Sequence, residues 1–186
     1  MTPEEPGRLA RRPVHDGRIV HLSIDTVRFP DGSVGELEFI HHAGACAVLP
    51  VVGGVEDADP DILLIRQYRY ATGGYLYEVP AGMPLREGEP WEEVARRELE
   101  EETGWRAGRL VPLTRIYTTP GFTDELIYLW LATQLEPGTS KLDDDEFVEV
   151  VRVPLSKALT WIQEGRIVDG KSVVTLLYAA RFALGR

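Results

Sequence analysis

The chain reads as an α/β or α+β domain in which short strands alternate with three amphipathic helices. Three observations lead there. Apolar and polar residues alternate with a period of two between Arg18 and His42. Short apolar runs closed by turn residues recur at 45–52, 62–67 and 75–79. Apolar residues then return at helical spacing after Pro90, Leu155 and Ser172. The 186 residues suit one compact domain, or one domain with a small appendage, since domains run roughly 100–200 residues.

In chain order, residues 1–12 are expected to form a mobile arm, because Pro3, Pro6, Gly7 and mixed charges offer little to bury. Val20, Leu22 and Ile24 alternate with His21, Ser23 and Asp25, Phe29-Pro30-Asp31-Gly32-Ser33 is turn chemistry, and Val34 to Ile40 alternates again, so 18–42 is a hairpin or meander. His41 and His42 are expected to point one ring to each side of a strand. Ala45 to Val52 ends at Gly53-Gly54, Ile62 to Gln67 follows an acidic loop, and Tyr75 to Val79 follows the turn Thr72-Gly73-Gly74. A long helix starts with Pro90 in its first position, carries Trp91, Val94, Ala95 and Leu99 on one face, and stops at Thr103-Gly104. Strands are expected near 110–117, 125–133 and 146–153, with a polar loop from Pro137 to Asp145. Leu155 to Glu164 and Ser172 to Leu184 read as the two closing helices. Trp161 is expected to pack, as are Tyr68 and Phe122.

Composition narrows the function. A 44% hydrophobic and 27% charged chain is not globally disordered. Its single cysteine, Cys46, excludes an intrachain disulfide and a cysteine-cluster metal site. No apolar run approaches the roughly 20 residues of a membrane span. Residues 1–12 lack the apolar centre of a signal peptide, so a soluble, cytoplasmic protein is expected. A net charge of −10 and a pI near 4.9 speak against a nucleic-acid binder, which carries a basic footprint. An acidic protein can still act on a phosphorylated substrate, provided arginines or a bound cation offset the repulsion. Arginine is far commoner than lysine, which occurs only at Lys141, Lys157 and Lys171.

The long helix concentrates the chemistry. Glu98 and Glu102 lie one turn apart on one face, and Glu101, three residues from Glu98, projects beside them. Such carboxylates repel, and in a cleft their pKa values rise. A hard divalent cation such as Mg2+ or Mn2+ reverses that cost. The plain alternative is a solvated helix face laced with ion pairs, for example Glu93–Arg97 at i, i+4.

The wider pattern resembles the Nudix box. Glu89 is followed by seven residues and then Arg97-Glu98-Leu99-Glu100-Glu101-Glu102-Thr103-Gly104-Trp105. One departure is visible: six residues, Met83 to Gly88, separate Gly82 from Glu89, where the usual pattern has five. The resemblance implies an α/β/α sandwich with a mixed central sheet, here with an N-terminal antiparallel strand extension. It implies hydrolysis of a nucleoside diphosphate linked to another moiety. It assigns Glu98, Glu101 and Glu102 to divalent metal, Arg97 to orienting a box carboxylate, and Glu89 to fixing the loop.

Flanking segments look like the ADP-ribose pyrophosphatase subfamily: Arg66-Gln67-Tyr68-Arg69, Glu78-Val79-Pro80-Ala81-Gly82, and Tyr117 to Glu125 with Pro120 sixteen positions after Gly104. By that resemblance the carbonyl of Ala81 is a further metal ligand. Glu146, in the acidic run 143–146, activates or positions the attacking water. Arg69 lies near the diphosphate, Glu125 contacts substrate, and Arg66 is a weaker substrate-binding candidate. The resemblance also implies a homodimer. The expected organisation is then an arm at 1–12, a strand region at 13–44 in dimer contacts, and a hydrolase domain at 45–186. The alternatives are a Nudix hydrolase for GDP-mannose, a dinucleoside polyphosphate or an oxidised nucleotide, and a sensor that binds ADP-ribose without cleaving it.

Overall fold

The structure, a computed structural model, describes residues 5–142 and 147–186. The chain forms two compact units, one of residues 1–44 with 117–126, the other of residues 45–116 with 127–186.

In the first unit, β1 (Gly7–Asp16), β2 (His21–Arg28) and β3 (Val34–His41) form an antiparallel sheet in the order β1-β2-β3. Residues 7–12 therefore lie in a strand and not in the expected arm. Every residue of β1 is exposed, so no apolar alternation marks it. The ladder to β2 and a bidentate ion pair hold it: Arg11 Nε and Nη2 donate to Asp25 at 2.9 and 2.8 Å. Asp25 is buried and also accepts from Ser23 Oγ at 2.9 Å. The two histidines meet different carboxylates. His41 Nδ1 lies 2.7 Å from Asp124, and the less exposed His42 faces Glu125 at 3.6 Å. Phe122 is half-exposed in the turn closed by its N–H to Thr119, not in a core.

The second unit is built on a mixed sheet of β4 (Ala45–Val52), β5 (Asp61–Arg69), β8 (Trp105–Tyr117), β9 (Leu126–Pro137) and β10 (Val148–Pro154), in the order β10-β5-β4-β9-β8. The short strands β6 (Gly74–Glu78) and β7 (Ala81–Gly82) pair with β5 and β4. β4 and β9 are parallel, with Ala47 opposite Leu129 and Val48 opposite Trp130. Successive side chains face opposite ways. Ala45, Ala47, Leu49 and Val51 thus join Ile127, Leu129 and Leu131 under Leu155, Ala158, Trp161 and Leu176. Cys46 and Val48 turn the other way, toward Val94, Ala95 and Leu99. Helix α1 (Trp91–Thr103) therefore covers one face, and α2 (Leu155–Gln163) and α3 (Gly170–Tyr178) the other. This is the expected α/β/α sandwich with a mixed sheet.

Several boundaries differ from the sequence reading. Pro90 caps α1 and does not begin it; its carbonyl accepts from the N–H groups of Glu93 and Val94. Gly104, at φ 72°, closes α1 as expected and turns the chain directly into β8, which is why that strand begins five residues early. The last helix stops at Tyr178 and passes into a π-helical turn, Ala179–Ala183. Tyr68 is exposed: it stands opposite Tyr75 across the β5–β6 pair, and their rings meet edge to face at 5.5 Å. Trp161 packs as expected, against Tyr77 at 4.8 Å. Among the described residues no helix is long and apolar enough to cross a membrane.

Leu129 is 1% exposed at the centre of the larger cluster. Leu129→Ala is expected to cost about 2–5 kcal/mol, from lost burial and the cavity left behind. Urea denaturation would measure it, and a midpoint equal to that of the unmodified chain would contradict the packing described.

Candidate active site

Burial of Val94, Ala95 and Leu99 against β4 fixes the rotation of α1. That rotation carries Glu98 and Glu102 inward, where they are 9% and 2% exposed, while Glu101 stays half-buried beside them. The Ala81–Gly82 backbone of β7, paired with β4 at Ala47 and Cys46, lies against this face. Ala81 N–H donates to Glu102 Oε2 at 2.9 Å. At Gly82 a Cβ would overlap the Glu98 carboxylate, so any side chain there must displace it from Arg97.

Arg97 organises the remaining charges. Its Nη1 donates to Glu98 Oε1 at 2.7 Å and Glu101 Oε2 at 3.0 Å, and its Nη2 donates to the carbonyl of Met83 at 2.8 Å. Burial opposes its charge, but Glu98 and Glu101 outweigh it and hold the guanidinium pKa above its ordinary value. The Nε atom is buried without a hydrogen bond and faces Glu89 Oε1 at 3.6 Å. Glu89 in turn accepts from Leu85 N–H at 2.7 Å, which ties down the loop containing the extra residue. Glu93 does not pair with Arg97 as the solvated-face reading supposed; it lies 3.8 Å from Arg86, and the i, i+4 pair on the outer face is Glu92–Arg96. The last turn of α1 also anchors the chain that follows β9. Gly138 N–H donates to Gly104 O at 2.8 Å, and Ser140 Oγ and Lys141 N–H both donate to Glu101 O.

Among the described residues no three His, Cys, Asp or Glu side chains are drawn together into one metal-holding group. Arg97 stands between Glu98 and Glu101, and Glu102 is turned to the Ala81 N–H. The donors nevertheless fit a hard divalent cation. They are carboxylate oxygens, packed against a glycine that leaves them room, and Arg97 is shared between two of them, Glu98 and Glu101.

Comparison with known proteins decides the family. The profile of the NUDIX domain matches residues 47–174. The chain belongs to the Nudix hydrolase family. It is 36% identical over 176 residues to an ADP-ribose pyrophosphatase of Bacillus subtilis (strain 168), covering 94% of this chain and 92% of the relative. It is 37% identical over 167 residues to a methanol dehydrogenase activator of Bacillus methanolicus, covering 89% and 87%. A crystal structure of an ADP compounds hydrolase superimposes with a TM-score of 0.82 over 100% of this chain and 97% of that one; at 23% identity it attests the Nudix fold. As a Nudix hydrolase, the chain is an enzyme acting on phosphorus anhydrides.

The other expected site residues are distributed differently. Arg69 is locked to Glu78, with Nε and Nη2 each donating at 2.8 Å. Arg66 lies on the exposed face of β5, 4.1 Å over the Tyr75 ring and 3.5 Å from Glu149. Glu125 belongs to the first unit, where it accepts from Thr118 Oγ1 at 2.7 Å. Glu146 lies outside the described residues.

A second charged cluster escaped sequence reasoning. Glu78, 1% exposed, is shared by Arg69 and Lys171; Lys171 also bonds Asp169, which caps α3 through Ser172 N–H. Burial pushes the Glu78 carboxyl up, but Arg69 and Lys171 outweigh it and hold it below the usual glutamate range. Two signals were available: a glutamate closing an apolar strand needs a cationic partner, and Asp169 stands three residues before Ser172, the spacing of a helix cap.

Gly82→Ala is expected to destabilise the protein by about 1–3 kcal/mol, because the methyl group must displace the Glu98 carboxylate. Gly74→Ala, whose Cβ meets nothing within 4 Å, is the control. Equal denaturation midpoints for the two variants would contradict the close approach.

Proposed function

We propose that this Nudix enzyme hydrolyses the pyrophosphate bond of ADP-ribose or a related nucleoside diphosphate sugar, with Mg2+ or Mn2+ as cofactor. The observation that carries the reading is the set of hard oxygen donors on one face of α1, packed against the Ala81–Gly82 backbone. The substrate class is supported by an ADP-ribose pyrophosphatase 36% identical over nearly the whole chain.

In this reading Glu98, Glu101, Glu102 and the Ala81 carbonyl hold the divalent cation, and Arg97 orients the carboxylates it already touches. Bound there, such a cation would supply positive charge against the diphosphate and would lower the pKa of the attacking water. Arg69 receives the phosphates, and Arg66, on the other face of β5, is a weaker substrate-binding candidate on the motif alone. Glu125 is a substrate-contacting candidate on the motif alone. Glu146 accepts the proton of the attacking water. The water oxygen bonds to one phosphorus in line, the anhydride P–O bond breaks, and the second phosphate leaves with the electron pair. From ADP-ribose the products are AMP and ribose 5-phosphate.

Product analysis with ADP-ribose and Mg2+ tests the reading. AMP and ribose 5-phosphate are expected, and both are lost with EDTA or in Glu98→Gln, whose turnover falls by about 100-fold or more. Glu146→Gln is expected to lower kcat more than it raises KM. Cleavage of GDP-mannose, a dinucleoside polyphosphate or an oxidised nucleotide in place of ADP-ribose would move the substrate assignment. Saturable binding of ADP-ribose without cleavage would make the chain a sensor.

The strand region at 13–44 is proposed to make homodimer contacts. Val14 on β1 and Val34 and Leu37 on β3 expose apolar surface that a partner would cover. Sedimentation at micromolar concentration is expected to give twice the 20.8 kDa chain mass. A single species at the chain mass would refute the dimer.

A further inference from the structure

The Glu78 cluster gives one carboxylate two cations. Glu78, on β6, is 1% exposed, and both its oxygens are engaged by Arg69 from β5. Lys171, from the first turn of α3, bonds Oε2 as well. The Lys171 side chain is 12% exposed and that of Arg69 is 41% exposed. Lysine is scarce in this chain, so an almost buried one is an uncommon choice.

The geometry gives the second cation a purpose. A guanidinium clamped along its Nε–Nη2 edge is held in one plane, with Nη1 outside the pair. By itself, a bidentate pair with a carboxylate cancels the field of the arginine. The third charge, Lys171, bonds Oε2 and fixes the carboxylate that clamps the guanidinium; with Asp169 on the lysine the four groups are neutral in sum, so its effect is one of geometry. Asp169 keeps that third charge in place: its Oδ2 accepts from Lys171 Nζ at 3.0 Å and from Ser172 N–H and Oγ–H at 3.0 and 2.6 Å. Ser172 Oγ then accepts from Val79 N–H at 2.8 Å, two residues before Ala81. The first turn of α3 is thereby bonded to the segment that leads into the acidic face of α1.

We propose that Lys171 is a positioning residue for substrate binding, acting through Glu78 on Arg69: it sets the plane in which the guanidinium meets the substrate diphosphate. The inference rests on the reading of Arg69 as a phosphate-binding residue. Asp169 and Ser172 serve by holding Lys171.

Steady-state kinetics with ADP-ribose and Mg2+ on the full chain test this, with a thermal melt for each variant. Lys171→Met is expected to raise KM about tenfold while kcat changes little, the size of a coupling energy between contacting charges. Lys171→Arg, which keeps the charge, restores KM toward that of the unmodified enzyme. Glu78→Gln raises KM too, and the double variant Glu78→Gln/Lys171→Met is no worse than Glu78→Gln alone, because the lysine has lost the group it acts through. The double variant also balances the buried charge, so it carries the test if Lys171→Met fails to fold. A lower melting temperature with unchanged KM in Lys171→Met would reduce the lysine to a structural role and overturn the proposal. Additive KM effects in the double variant would overturn it as well. Arg69→Ala separates the two readings. If Arg69→Ala raises KM and Lys171→Met does not, only the role of Lys171 falls. If Arg69→Ala leaves KM unchanged, the phosphate-binding role of Arg69 falls first.

Discussion

The parallel pairing of β4 with β9 commits the second unit to a single register. β4 is buried on both faces and β9 on one, with Tyr128 and Trp130 partly buried on the other, and their alternation sorts residues between two helical layers. A slip of one residue would send Cys46 and Val48 toward α2 and α3 and bring Ala47 and Leu49 under α1. The site inherits this constraint. Helix α1 is seated by Val94, Ala95 and Leu99 on the Cys46–Val48 face, and β7 is paired to the same β4. The approach of the carboxylates to the Ala81–Gly82 backbone is therefore set by the core, and the Ala81 N–H bond to Glu102 closes it.

Four glutamates among the described residues of this unit are taken out of water, and Glu89, Glu98, Glu102 and Glu78 are each compensated; Glu89 receives the Leu85 N–H. Glu102 receives a backbone N–H, Glu98 a shared guanidinium, and Glu78 two cations from two elements. A buried carboxylate without such partners would cost several kcal/mol and would pick up a proton instead. The first unit repeats the theme with Asp25, which Arg11 holds well below the usual aspartate range through its bidentate hydrogen bonds. Ionic pairing thus accompanies burial at Glu78, Glu98 and Asp25, and in the last turns of α1 one arginine, Arg97, is shared by Glu98 and Glu101.

Much of this order was legible before any coordinates. Ala45 to Val52 reads as a strand because every residue is apolar or small, and α1 is legible because its apolar face, its proline and its closing glycine agree. The box spacing placed Arg97, Glu98, Glu101 and Glu102 on one helix, and their partners Met83 and Ala81 come from the loop and strand just before it. Two kinds of feature were hidden. β1 carries no burial signal, because its stability comes from a ladder and an ion pair, neither of which leaves a periodic trace. The Glu78 cluster joins residues more than ninety positions apart, so only the fold brings Lys171 to Glu78. Tyr68 misled for a related reason: an aromatic residue in an apolar strand reads as core, yet it lies where the β5–β6 pair faces outward.

Cys46 sits on the shared face of β4 and α1, fully buried, with its Sγ donating to the carbonyl of Trp91 at 3.1 Å. Burial pushes the thiol pKa up to about 12, so almost no thiolate exists near neutral pH. Alkylating and oxidising reagents can reach it only when α1 lifts from the sheet. Because the chain has no other cysteine, its rate of labelling reports the opening free energy of the contact that seats the acidic helix.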